Sequence, residues 1–180
     1  MFAQRPDPSM DRAAVRAYLL AHAPNIDGPA FTQIGAADLR MLFEQYDARS
    51  FDGVLRRSLG GTPLSFRVSR RMTNSLGLTY RYSPPLRFEI VVSTTLLFGN
   101  FDPGDRPVLV CGLPAADRLE ALQLVFEHEL VHLAELVAFG HSDCAADRYA
   151  GIAHGLFGHR EHQHRLITPR ERAAEQGLLV

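Results

Sequence analysis

The sequence predicts an α+β fold, in which a small and mostly antiparallel sheet packs against helices. The chain has 180 residues, 46% of them hydrophobic, which is enough for one domain with a full core. Apolar residues repeat every three or four positions near both ends of the chain, but they alternate with polar residues within 63–98. We therefore expect residues 1–9 to form a disordered tail and residues 10–180 to form a single domain.

Two helices are predicted before the sheet, over residues 10–23 and residues 36–49, and Asp52-Gly53 marks a turn after the second. Three strands follow, bounded by glycine- and proline-containing turns, at residues 63–71, 77–83 and 86–98. The connections between these strands are too short to hold crossover helices, so we expect mostly antiparallel pairing.

The second half of the chain is predicted to contain the longest helix. After a loop over residues 98–113, Pro114 begins this helix and Gly140 ends it. A further helix is expected over residues 145–156. The segment from Thr168 to Glu171 has the pattern of a capping box, which indicates one more helix start.

No apolar stretch of the sequence is long enough to span a bilayer, so no membrane partner is expected. Residues 1–20 contain prolines and charges where a secretory signal needs an uninterrupted apolar segment. The two cysteines, Cys111 and Cys144, form no disulfide framework, which fits reduced thiols. These features predict a cytoplasmic location.

The longest predicted helix contains the stretch FEHELVHLAEL, residues 126–136, with an H-E-x-x-H motif. On a helix the fourth residue returns to nearly the same face, so His128 and His132 can direct both imidazoles at one point. This spacing supplies two ligands to a zinc ion, and Glu129, about 100° around the helix, would act as general base beside the open coordination position. The motif predicts metal-assisted hydrolysis.

A chance match is the alternative interpretation of so short a motif. The motif lies, however, within an apolar stretch, where two histidines and a carboxylate are costly to bury unless something satisfies them. The apolar neighbours are Leu122, Val125, Phe126, Leu130, Leu133 and Val137. A metal ion would satisfy the polar groups, so the metal interpretation is favoured. A third ligand is then required, and seven of the eight histidines lie between His128 and His164.

Beyond the motif, the chain resembles the SprT-like metalloprotease family, which includes the bacterial SprT proteins and the Spartan proteases of DNA–protein crosslinks. The resemblance covers about residues 39–166. Besides the metal helix it consists of four ordered segments, LFEQYDARSFDGVL, FRVSRRMTNSLGLTYRY, FEIVVSTTLL and LFGHREHQHRL. It implies a zincin-type metal helix followed by a second helix. It also implies hydrolysis of peptide bonds, including those of DNA-associated or crosslinked proteins.

Carried over by position, the family pattern makes His128 and His132 the first two zinc ligands and Glu129 the catalytic base. The chain departs from the pattern at the third ligand. The family usually has a histidine four residues before an aromatic residue, and the aromatic residue here is Tyr149. The position four residues before it holds Ala145, which cannot bind zinc.

Three residues are candidates for the third ligand, two of them near this position and one beyond the following helix. Cys144 is favoured because it is adjacent to the matching position and because a helix N-terminus lowers the pKa of a thiol. The alternative for Cys144 is the role of a small buried residue. His141 and His159 are the other candidates. Surface or supporting positions are expected for His154, His162 and His164, and a core position for Cys111.

Charge is unevenly distributed along the sequence. Seven arginines and no acid lie between Gly53 and Phe88, whereas eight acids and two arginines lie between Asp102 and Asp143. The basic block, from Arg56 to Arg87, is expected either to form ion pairs with the acidic block, residues 102–143, or to form a surface for an anionic ligand such as DNA. The predicted function is a Zn²⁺-dependent metallopeptidase acting on a protein or peptide substrate. The alternative is a nucleic-acid-associated binding domain with a structural or degenerate metal site.

Overall fold

A computed structural model of the protein describes residues 7–177 and has the predicted α+β architecture. Its helices are α1 (Pro8–His22), α2 (Ala36–Ser50), α3 (Val54–Leu59), α4 (Thr94–Phe98), α5 (Arg118–Phe139), α6 (Asp147–Phe157) and α7 (Pro169–Glu175). Its strands are β1 (Leu64–Ser69), β2 (Gly77–Tyr82), β3 (Arg87–Ser93), β4 (Val108–Val110), β5 (Leu113–Ala115) and β6 (His164–Arg165). None of the described helices is both long enough and apolar enough to cross a membrane.

Helix α1 begins earlier than the sequence predicted. The Asp7 side chain caps it by accepting a hydrogen bond from the Ser9 N–H at 2.9 Å, and Pro8 occupies the first turn, where its missing N–H is harmless. Residues 8–9 are therefore helical rather than part of the expected tail. The rest of that predicted tail, residues 1–6, lies outside the described residues.

The strands form two small sheets, with the orders β1-β3-β2 and β5-β4-β6. Three of the four described pairings are antiparallel, but β1 and β3 run parallel, which corrects part of the prediction. The argument from short connections fails here because β2 itself occupies the connection between the parallel strands. No crossover helix is needed when β3 lies between β1 and β2.

The predicted third strand, residues 86–98, ends early at Ser93, and the predicted loop over residues 98–113 contains strand residues. Ser93 ends the third strand and caps α4, since its Oγ accepts a hydrogen bond from the Leu96 N–H at 3.1 Å. Strands β4 and β5 then form a hairpin. Pro114 lies in β5, at the edge of its sheet, where proline is tolerated.

The predicted start of the longest helix at Pro114 is therefore wrong. Helix α5 begins at Arg118, and the Asp117 side chain accepts a hydrogen bond from the Glu120 N–H at 2.9 Å. Its end at Gly140 is as predicted. The capping box of Thr168 and Glu171 at the start of α7 is confirmed.

Helix α5 is the centre of the fold. It contacts the two sheets and the helices α1, α2, α3, α4 and α6. Fifteen of its residues are buried, including His128 and Glu129. The H-E-x-x-H motif thus lies inside the protein, where its polar groups need partners.

Candidate metal centre

His128 and His132 face each other across one turn of α5. Their Nε2 atoms lie 3.1 Å apart, as the four-residue spacing predicted. Burial is the main cause that lowers the pKa of both imidazoles, and neighbouring histidines lower that of His128 further. Both rings are therefore neutral near pH 7, and neutral imidazole is the form that binds metal ions.

The surroundings of His132 determine which of its nitrogens carries the proton. Its Nδ1 lies 2.7 Å from the Ser142 Oγ, and the Ser142 hydroxyl donates its proton to Glu135 at 2.6 Å. Since a hydroxyl has a single proton, Nδ1 of His132 is the donor to it, which leaves a lone pair on Nε2. Arg148 donates to the other Glu135 oxygen at 2.6 Å and holds this chain of hydrogen bonds in place.

We expect Ser142→Ala to weaken zinc binding about tenfold, because Nδ1 of His132 loses the acceptor that orients the ring. A competition titration with a zinc chelator measures this. Ser58→Ala, at an exposed position of α3, is the matched control and should bind zinc as the wild type does. Equal affinities in the two variants would show that the hydrogen bond does not orient His132.

The structure brings Cys144 to this histidine pair. One donor atom each from His128, His132 and Cys144 lie within 4.8 Å of one another. The expected lowering of the thiol pKa is wrong, because burial raises the pKa of Cys144 and the Asp143 carboxylate adds to the rise. Helix α6 begins only at Asp147, so its N-terminus does not outweigh these effects. A divalent ion would bind this sulfur as thiolate.

The two other candidates for the third ligand lie elsewhere. His141 is exposed, with its ring between the Phe139 carbonyl and the Arg148 guanidinium, each at 3.2 Å. His159 is buried, and its Nε2 lies 2.9 Å from the Glu127 carboxylate. Within residues 7–177, neither joins a group of metal donors with the histidine pair.

Glu129 lies at the same cavity as these donors. Thr79 Oγ1 donates a hydrogen bond to Glu129 Oε2 at 2.7 Å. Burial raises the pKa of Glu129 to about 8, and the hydrogen bond from Thr79 opposes the rise. The cavity, of about 440 Å³, is lined among others by Glu129, His128, His132, Cys144, His164 and part of β2. The two nitrogens and the sulfur fit a zinc ion, and the positive charge of a bound ion would lower the pKa of Glu129 so that its ionised form can act as a base.

Two further residues of this centre were not predicted. Cys111 is buried, as expected, but its Sγ lies 3.6 Å from Nδ1 of His128. His164, expected at the surface or in a supporting position, has its ring centroid 4.7 Å from that of His128. The spacing of His162 and His164 is that of one side of a strand, but β6 begins only at His164 and His162 lies in a bend.

The basic block is divided between paired and unpaired arginines. Arg70, Arg71 and Arg81 are exposed, and no ion pair involves them in the part of the chain that the structure describes. The others with defined partners are Arg56 with Glu44 at 3.3 Å, Arg67 with Glu89 at 3.2 Å, and Arg87 over the Tyr82 ring at 4.2 Å. Glu44 and Glu89 lie outside the acidic block, so the described residues show no ion pair between the two blocks, and DNA contact stays a prediction.

The centre as a whole can hold a divalent cation between imidazole and thiolate donors and can accept a proton at Glu129. The side chains come from α5 and from the segment before α6, with β2 supplying the partner of the carboxylate. Comparison of the chain with known protein families, with curated proteins and with solved structures finds no match.

Proposed function

We propose that the protein is a zinc-dependent peptidase, with the metal held by His128, His132 and Cys144 and with Glu129 as the general base. The observation that carries this proposal is the single cavity that the three donors share with the buried carboxylate. When bound, zinc supplies a Lewis acid that polarises a peptide carbonyl and activates water.

Glu129 moves the proton in this mechanism. Thr79 holds Oε2 of the carboxylate by its hydrogen bond, so Oε1 is the oxygen left to take the proton of the attacking water. The same carboxyl group then gives that proton to the leaving amine. The hydrogen bond that Nδ1 of His132 donates to Ser142, which in turn donates to Glu135, keeps His132 in the tautomer that presents Nε2 to the cavity.

Strand β2 supports a peptide as the substrate. Gly77, Leu78 and Thr79 line the cavity, and β2 is the edge strand of its sheet within the described residues. An extended peptide can add to such an edge by main-chain hydrogen bonds and so lie beside the metal donors. The resemblance to the SprT-like family supports the same activity and adds DNA-associated or crosslinked proteins as the substrate class. The cytoplasmic location stays a prediction from the sequence.

Gly77 leaves the space that the Glu129 carboxylate occupies. A Cβ atom at this position would lie 2.5 Å from Glu129 Oε1 and 2.8 Å from Val125 Cγ1. We expect Gly77→Ala to displace the carboxylate and to lower kcat about 10- to 100-fold, because the base no longer reaches its proton. Zinc content should not change, since the substitution touches none of the metal donors. Peptide hydrolysis and metal analysis of the same preparation measure both quantities.

Gly151→Ala is the matched control, because a Cβ at that glycine of α6 meets nothing within 4 Å. It should retain wild-type kcat. Wild-type activity of Gly77→Ala would contradict the role of Glu129, whereas loss of zinc from Gly77→Ala would mean that the site was distorted more widely.

We propose DNA contact by the exposed arginines of the basic block as a second function, compatible with the first. Arg70 and Arg71 follow β1 and are exposed, so they are available to phosphate groups. We expect Arg70→Ala with Arg71→Ala to weaken DNA binding. The slope of the logarithm of the binding constant against the logarithm of the salt concentration should fall in magnitude by about 2, one for each lost phosphate contact. Fluorescence anisotropy over a series of salt concentrations measures this. Arg170→Ala, at an exposed position of α7, is the control, and absence of DNA binding by the wild type would end this proposal.

A further inference from the structure

A second group of metal donors lies on the other side of His128. Donor atoms of Cys111, His128 and His164 lie within 4.8 Å of one another. The Cys111 sulfur approaches Nδ1 of His128 at 3.6 Å, whereas Nε2 of the same ring faces His132 at 3.1 Å. The two groups of donors therefore share one imidazole but approach its opposite nitrogens.

The chain holds Cys111 in place by its backbone. Cys111 has a φ of 54°, in the left-handed region that non-glycine residues rarely adopt, and such residues persist only where their surroundings fix them. Its N–H donates to the Gln163 carbonyl at 2.9 Å, and its carbonyl accepts from the Arg160 N–H at 2.9 Å and from the Glu161 N–H at 3.2 Å. Backbone hydrogen bonds with the segment 160–163 thus fix both the N–H and the carbonyl group of Cys111.

The same pairing brings His164 to the group. His164 lies opposite Val110 in the antiparallel pair of β6 and β4, next to Cys111. Its Nε2 is buried and has no hydrogen-bond partner among the described residues. A buried polar atom without a partner is costly, and a bound cation would satisfy this nitrogen.

The distances suit a metal ion. Tetrahedral bonds of about 2.3 Å to sulfur and about 2.0 Å to nitrogen separate the two ligand atoms by about 3.5 Å. The observed separation of the Cys111 sulfur and Nδ1 of His128 is 3.6 Å. One sulfur and two imidazole nitrogens make a donor set that suits ions with affinity for thiolate, such as zinc.

We propose that Cys111, His128 and His164 form a second metal position, which we call the inner position. The outer position is the one formed by His128, His132 and Cys144. The inner position takes a divalent ion with affinity for sulfur, such as Zn²⁺, Co²⁺ or Cd²⁺, and the Cys111 thiol releases its proton to solvent when the ion binds. The inner position does not depend on Glu129 or on peptidase activity.

The two cysteines of the chain make the test direct, because Cys144→Ser leaves Cys111 as the only thiol. The neutral His128 ring has one lone pair, so it can serve only one of the two positions at a time. The double variant His132→Ala with Cys144→Ser removes the outer position and so leaves His128 to the inner one. Titrated with Co²⁺, this variant should bind one ion per chain and show thiolate-to-cobalt charge-transfer absorption. Adding Cys111→Ser should abolish the absorption and weaken binding at least ~10-fold.

A double variant that binds no Co²⁺, or binds it without thiolate absorption, overturns the inner position. Circular dichroism shows whether the double variant is folded. If it is not, His132→Gln with Cys144→Ser gives the same readout, because it also removes the outer donors and leaves Cys111 as the only thiol, and a lack of absorption overturns the proposal.

The inner position and the proposed peptidase fail separately in this experiment. Hydrolysis by the zinc-loaded wild type, with no cobalt–thiolate absorption in the folded double variant His132→Ala with Cys144→Ser, would remove the inner position and leave the peptidase standing. Lack of hydrolysis by the zinc-loaded wild type, with cobalt–thiolate absorption still present in the double variant His132→Ala with Cys144→Ser, would remove the peptidase and leave the inner position standing.

Discussion

Glu129→Gln is expected to keep its zinc and to lower kcat for peptide hydrolysis about 10²- to 10⁴-fold. Glutamine has the size of glutamate, and its side-chain oxygen can still accept the hydrogen bond from Thr79, which now goes to Glu129 Oε2 at 2.7 Å. The amide cannot take the proton of the attacking water. Zinc content per chain and hydrolysis of a fluorogenic peptide, measured on the same sample, separate the two effects.

Glu44→Gln is the matched control for this substitution. Glu44 is exposed on α2 and pairs with Arg56, away from the metal donors, so its variant should hydrolyse the peptide at the wild-type rate. Full activity of Glu129→Gln would remove the mechanism. Loss of zinc from Glu129→Gln would instead make Glu129 a metal ligand rather than a base.

The second large effect is expected from Arg12→Met, which should lower the free energy of unfolding by about 3–5 kcal/mol. Glu127 is fully buried, and Arg12 donates two hydrogen bonds to its carboxylate, from Nε at 2.9 Å and from a terminal nitrogen at 2.6 Å. Tyr46 and His159 contact the same carboxylate at 2.7 and 2.9 Å. Without Arg12 a buried carboxylate loses its permanent cation. Urea denaturation followed by circular dichroism measures the loss.

Arg16→Met is the control, since Arg16 lies on the same helix, α1, and also donates two hydrogen bonds to one carboxylate, that of Asp117. The side chains of that pair are 28% and 25% exposed, so water screens the interaction and we expect a loss of about 1 kcal/mol or less. A similarly small effect of Arg12→Met would show that Glu127 is protonated or otherwise compensated in the folded protein.

Sequence periodicity was sufficient for the features that depend on local structure. The one-turn spacing of His128 and His132 defines their common face wherever α5 lies, and the four-residue capping pattern at Thr168 is equally local. The start of α5 was placed too early because the β4–β5 hairpin competes for the residues before Asp117. That pairing depends on neighbouring strands rather than on helix propensity.

The rest of the candidate site depends on contacts between distant parts of the chain. Cys111 and His164 meet at His128 because β4 pairs with β6, and no residue pattern near either of them encodes that pairing. Thr79 reaches Glu129 from β2 across a separation of 50 residues. The pKa of Cys144 was predicted in the wrong direction because burial, a property of the whole fold, outweighs the nearby helix end.

The pairing of β4 with β6 also has a consequence for how the protein is made. On the ribosome, Cys144 is the last donor of the outer position to be added to the chain, and His164 is added 20 residues later. At about 5–20 residues per second, this interval lasts about one to four seconds. All three donors of the outer position are therefore part of the nascent chain before His164 is made, so the donor set of the inner position is the later of the two to be complete.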